Sequence, residues 1–147
     1  MWTNDKSTLL TSILTKALIG FMIFGLFIVP LCATWYDAVS NQAPIKIPLC
    51  IIIYIAYIPG FIMMFSLDRL LTNIRKKEVF TTENIKYLRI SSWCCFAAAV
   101  CFFALGFFRL LAFLICFACI FLGLVIRVIK TAFTEALALR EENDYTI

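Results

Sequence analysis

Four stretches of this chain, Ala17–Trp35, Pro48–Leu67, Ile90–Phe108 and Leu110–Ile126, contain no Asp, Glu, Lys or Arg, and each is 17 to 20 residues long. A helix of ~20 residues spans ~30 Å, the thickness of a bilayer's hydrocarbon layer. Only a segment that satisfies its own backbone can cross that layer. The pattern predicts an all-α fold: an integral membrane four-helix bundle forming one domain over residues 1–147. A polar connection covers 36–47, a cytoplasmic loop covers 68–89, and a cytoplasmic tail covers 127–147. With 63% hydrophobic residues, against ~45–50% in ordinary soluble domains, little of the chain is left to build a separate catalytic domain.

The net charge of +4 points to topology and not to nucleic acid. Eleven of the thirteen Lys and Arg lie before Ala17, within Arg69–Arg89, or after Ile126. By the positive-inside rule this places both termini and the middle loop in the cytoplasm. Lys6 and Lys16 precede the first apolar run as in a signal peptide, but the run is long for one and no A-x-A-like site closes it. It is read as an uncleaved span. Leu9, Leu10, Ile13, Leu14 and Ala17 recur at helical spacing, so this span is expected to begin as an amphipathic turn.

Two spans carry prolines. Pro30 is expected to bend the outer third of the first, and Pro59-Gly60 to interrupt the second after its entry at Pro48. Tyr54, Tyr57, Pro59 and Gly60 are therefore candidate cavity residues, since broken helices mark many transporter sites. The competing reading is a kink with Tyr hydroxyls bonded to freed carbonyls. It is favoured because no charged residue falls within any span.

All seven Cys lie within the spans and none in the connection 36–47. Cys116-x-x-Cys119 is the spacing of a thiol oxidoreductase, yet the pair sits deep in an apolar run, away from the accessible electropositive settings in which thiolates react. The row Ala112, Cys116, Cys119, Gly123 and the row Cys94, Ala98, Cys101 each mark one helix face of small residues, predicting close packing of spans three and four. Arg109, at the turn between them, is expected to snorkel to the outer interface. The chain has no His, and no phosphate loop, paired carboxylates or Ser/His/Asp set. No cofactor or metal is expected, and no enzymatic activity.

The strongest local signal is in the middle loop. Arg75-Lys76-Lys77-Glu78 is a charged turn, and Phe80-Thr81-Thr82-Glu83-Asn84-Ile85 reads as a helix start. Thr81 is the expected N-cap, Glu83 complements the helix dipole, and Phe80 and Ile85 form a hydrophobic staple. Thr131–Arg140 is rich in helix formers and is expected to extend span four. The acidic Glu141, Glu142 and Asp144 follow on the same side as the basic turn.

The run Asn73-Ile74-Arg75-Lys76-Lys77-Glu78-Val79-Phe80-Thr81, with Glu83-Asn84, Leu88-Arg89, Trp93-Cys94-Cys95 and the ending Glu141-Glu142-Asn143-Asp144 through Thr146-Ile147, resembles an uncharacterised bacterial membrane family. That family is domain of unknown function 2975 (DUF2975). Lys77 stands where the resemblance leads one to expect Gly, and Tyr145 where Leu is common. The resemblance implies a Gram-positive-type plasma membrane and a genetic association with small helix-turn-helix regulators. It supplies no catalytic residues.

These readings converge on a non-enzymatic multi-pass plasma-membrane protein with a regulatory or accessory role. Its inner face would hold a cytosolic partner, such as a small helix-turn-helix regulator, through Arg75, Lys76, Lys77, Glu78, Phe80, Thr81, Glu83, Asn84, Glu141, Glu142 and Asp144. The bilayer is the other partner, a homo-oligomer is left open, and direct nucleic-acid binding is not expected. The alternative is a small transporter or membrane-peptide resistance protein using the broken second helix. A membrane thiol oxidoreductase is third.

Overall fold

The computed structural model describes residues 4–146. Four helices account for nearly all of them: α1 (Asn4–Val39), α2 (Lys46–Arg75), α3 (Thr82–Gly106) and α4 (Leu111–Tyr145). All four are long and apolar enough to cross a membrane. Their surfaces agree: Phe27, Leu31, Leu114 and Phe117 are each more than 70% exposed, a display tolerable in lipid and not in water. The protein is a membrane protein.

Each helix packs on its chain neighbour, α1 on α2, α2 on α3 and α3 on α4, and α1 does not reach α4. Successive helices are antiparallel. Met22 lies on Gly60 and the Leu26 carbonyl on Tyr54 between α1 and α2. Asn73 meets Asn84 between α2 and α3, and Ser92 meets Gly123 between α3 and α4. Asn4, the 76–81 connection and Tyr145 therefore share one end of the molecule, here the basic end. At ~1.5 Å per residue, α1 and α4 are more than ~50 Å long. Against a ~30 Å hydrocarbon layer both overhang it, and the register places the excess at the basic end.

The interhelical surfaces follow the rule for lipid, where small and polar side chains do the packing. On α1 the buried residues near its start are Ser12 and Thr15, while Leu9, Leu10, Ile13 and Leu14 face outward. The helix is amphipathic as expected, with its apolar face turned away from the protein. The row Ala112, Cys116 and Gly123 of α4 is buried, with Cys119 half-buried. On α3 the row Cys94, Ala98, Cys101 is only part of the answer. Ser92, Cys95 and Ala99 are more deeply buried than Ala98 or Cys101. The close packing of α3 on α4 is visible at Gly123, where a Cβ would sit 3.2 Å from the Cys95 Cβ and 3.1 Å from the Phe96 ring. The Ser92 hydroxyl donates to the Gly123 carbonyl at 3.0 Å across that approach.

The second helix is not interrupted. α2 runs unbroken from Lys46 to Arg75 with Pro59 inside it, and it starts two residues before Pro48. A proline near the first turn is harmless because its missing N–H has no intrahelical acceptor there. The compensation expected around Pro59 is found at Pro30 instead. Pro30 cannot donate to the carbonyl of Leu26, and the Tyr54 hydroxyl of α2 donates to that carbonyl at 2.9 Å. This keeps α1 continuous through the proline.

Candidate functional site at the basic end

The 76–81 connection is a built turn. Lys77 has φ 64°, the left-handed conformation that glycine adopts without steric cost. With it, the Lys77 N–H reaches the Ile74 carbonyl at 3.0 Å and the Glu78 N–H reaches Asn73 at 3.0 Å. This pair of bonds is a Schellman stop, which ends α2 and reverses the chain. The position where the family resemblance leads one to expect Gly is thus the one whose backbone favours it.

Asn84 holds the other side of the turn. Its side chain is fully buried. Nδ2 donates to the carbonyls of Glu78 at 2.8 Å and Val79 at 2.7 Å. Oδ1 accepts from Asn73 Nδ2 at 2.8 Å. Thr81 caps α3 as expected, its Oγ1 accepting from the Asn84 N–H at 3.3 Å. Phe80 lays its ring edge-on against Phe133 of α4, centroids 5.3 Å apart, tying the turn to the overhang. The Asn84 side chain is thus enclosed by the turn that it holds. Its role is internal, and nothing in the local pattern distinguished it from its exposed neighbours.

What this scaffold presents is charge. Arg75, Lys76, Lys77, Glu78 and Glu83 are all exposed, and Thr81 is half-buried. Glu141, Glu142 and Asp144 are exposed near the end of α4, in a segment that is helical. The two groups share an end but do not close on each other. No ion pair joins them among the described residues, and Glu141 lies eight residues beyond Phe133, about 12 Å further along the helix.

The candidate cavity residues are dispersed. Tyr54 is engaged with Leu26, Gly60 faces the Met22 methyl, and Pro59 is half-buried in a continuous helix. Tyr57 packs its hydroxyl against Gly25, where a Cβ would collide with it. Of the four, Tyr57 alone lines the large cavity, about 560 Å³. That space lies toward the end opposite the basic one, between α1 and α4, with Ala33, Leu105, Arg109 and Ala112 among its walls.

Arg109 does more there than snorkel. Its Nε donates to the Tyr36 hydroxyl at 3.1 Å and its Nη2 to the Ala43 carbonyl at 2.9 Å, with the guanidinium 5.6 Å from the centre of the Tyr36 ring. It joins the 107–110 turn to the connection between α1 and α2. In that connection the Asp37 carboxylate accepts from the N–H groups of Ile45 at 3.0 Å and Lys46 at 2.8 Å, capping α2. The seven cysteines are free thiols. No cluster of metal-ligating side chains occurs among the described residues.

The family model described as protein of unknown function (DUF2975) matches residues 32–147. The chain belongs to this family. It is also 27% identical to the uncharacterized membrane protein YoaS of Bacillus subtilis (strain 168), over 98% of this chain and 99% of that protein. No solved structure matches the chain. The family match spans the turn, the cap and the overhang together with three of the four helices, so the family's unknown activity is to be sought among features described above.

Proposed function

We propose that this family member is a non-enzymatic, regulatory or accessory protein of the bacterial plasma membrane, with both termini in the cytoplasm. Its basic end holds a cytosolic protein. The observation that carries the reading is the Schellman turn locked by Asn84, which presents Arg75, Lys76, Lys77 and Glu78 to solvent on a fixed backbone. Three side-chain hydrogen bonds hold this turn in addition to the backbone pair that ends α2. A preorganised surface lowers the ordering cost of binding. The separation of this turn from the acidic end of α4 suits a partner whose own surface carries both signs of charge, spaced along one face. A small helix-turn-helix regulator is the partner class proposed, on the family resemblance.

The test is an in-cell crosslinking pull-down of the tagged full chain, with mass spectrometry of what accompanies it. A small DNA-binding protein is expected. It should be lost when Arg75, Lys76 and Lys77 become Ser, and retained when exposed Lys46 at the other end becomes Ser. Recovery undiminished in the triple variant would refute the assignment of this surface.

The cavity favours a second reading, a small transporter or peptide-resistance protein. It is apolar and open toward lipid between α1 and α4, and Tyr57 places a hydroxyl at its wall. Loss of peptide resistance on Tyr57→Phe, with the triple basic variant still active, would favour this over partner binding.

A further inference from the structure

The membrane-facing cleft between α3 and α4 at the basic end belongs to neither reading. It is lined by Arg89, Ser92 and Trp93 of α3 and by Arg127 and Lys130 of α4, and has a volume of about 290 Å³. We propose that this cleft binds the headgroup phosphate of an anionic phospholipid, one per chain.

Three observations lead there. First, three cations converge on one small space, and none of them has an ion pair with a carboxylate among the described residues. Like charges gathered without a counter-charge repel one another, so an external anion would be held by all three. Second, Arg127 is oriented. Its guanidinium lies 5.6 Å from the centre of the Trp93 ring and 5.8 Å from that of Phe96. Aromatic faces hold the cation through its π contact and leave its N–H fork for an oxygen ligand, the geometry in which Arg recognises phosphate. Ser92 is spent on the Gly123 carbonyl. It fixes the spacing of the two helices and so the width of the cleft.

Third, the depth selects a lipid over a soluble anion. Arg89 is the last charged residue before the uncharged run of α3, and Arg127 the first after that of α4. Both stand where hydrocarbon gives way to headgroups. Trp93 is 59% exposed at that level, as an interfacial aromatic is. A zwitterionic headgroup would bring an ammonium into a cluster that already holds three positive charges, so the selectivity is for lipids of net negative charge. The proposal is independent of the partner reading and of which leaflet the basic end meets.

The measurement is native mass spectrometry of the purified full chain in detergent, titrated separately with phosphatidylglycerol and phosphatidylcholine. One phosphatidylglycerol per chain is expected to persist under activation that strips phosphatidylcholine. A basic residue near an anionic surface contributes ~1 kcal/mol, about fivefold in binding. Arg89→Gln and Lys130→Gln, whose head groups hold no protein partner among the described residues, should each weaken retention about fivefold, and the pair roughly 25-fold, with helicity unchanged. Arg75, Lys76 and Lys77 changed together to Ser should leave it unaltered. Equal retention of both lipids would overturn the proposal, as would retention indifferent to the double variant, or retention lost equally in the triple one. Glycerol phosphate displacing the lipid at equal concentration would assign the cleft to a soluble anion instead.

Discussion

Replacing Asn84 by Ala should open the 76–81 turn while leaving the spans in place. The substitution removes three hydrogen bonds, two donated to Glu78 and Val79 and one accepted from Asn73. Each such bond has a net value of ~1 kcal/mol, rising toward 1–3 where the abandoned partner stays buried. Glu78 is exposed and Val79 half-buried, so water can take over much of what the two carbonyls lose. The Asn73 amide is half-buried between α2 and α3 and is worse placed. The sum is about 3 kcal/mol against the closed turn, or roughly two decades in the opening equilibrium. Amide hydrogen exchange on the full chain in detergent reads this directly. The Lys77 and Glu78 N–H groups, bonded to Ile74 and Asn73, should exchange about a hundredfold faster. Amides around Ala99, deep in α3, should not change. Asn84→Asp keeps an acceptor for Asn73 but turns a carboxylate on two carbonyls, and should protect no better than Ala. Exchange at Glu78 within twofold of the unaltered protein would refute the reasoning, because the turn would then be held by its backbone alone.

Lys77→Gly should stabilise the protein. The left-handed φ costs a side-chain-bearing residue ~1–2 kcal/mol and Gly gives back ~0.5–1 in unfolded-state entropy, so a net gain of about 0.5–1 kcal/mol should appear as a raised thermal midpoint. A lowered midpoint would show that the lysine side chain contributes more than its strain. Tyr54→Phe deprives the Leu26 carbonyl of its donor within the apolar layer and should cost about 1 kcal/mol, read as earlier unfolding in an SDS titration. No shift would mean that the carbonyl freed by Pro30 finds another partner. Gly123→Ala places a methyl against the Phe96 ring and Cys95 and should cost about 1–2 kcal/mol. Stability equal to that of the unaltered chain would show that the Phe96 ring yields freely.

The spans and the start of α3 were legible because their signals are local. A charge-free run of bilayer length needs no partner to be recognised, and Thr81 caps α3 by accepting from an N–H only three residues along the chain. What stayed hidden is what depends on distant sequence. Asn84 looks like any polar residue in a first turn until Asn73, Glu78 and Val79 close around it. Arg109 reads as a snorkelling cation, yet beside the adjacent Phe108 carbonyl its partners lie 66 to 73 positions earlier. The prolines illustrate the same limit. Pro59-Gly60 carries the stronger breaking signal, but helix α2 passes through it, and the cross-helix repair serves Pro30. Ser12, Thr15, Ser91 and Ser92 are buried although polar, because lipid offers no reason to hide Leu. At the charged end, Arg75, Lys76, Lys77 and Glu78 are exposed on the turn, and their separation from Glu141, Glu142 and Asp144 depends on α4 continuing straight.

Since every helix touches only its neighbours along the chain, assembly in the membrane can follow the order of synthesis. Each newly inserted helix finds its docking face already present, and no segment waits for one made later. Of the other helices the first packs on α2 alone, is tied besides to the 107–110 turn through the Arg109–Tyr36 hydrogen bond, and for most of its length precedes the residues matched by the family model. A chain relieved of α1 would lose one wall of the large cavity but no contact within α2, α3 and α4. The packing among α2, α3 and α4 does not pass through α1, which instead supplies the Asp37 cap of α2 and the Tyr36 partner of Arg109 at the end opposite the basic one.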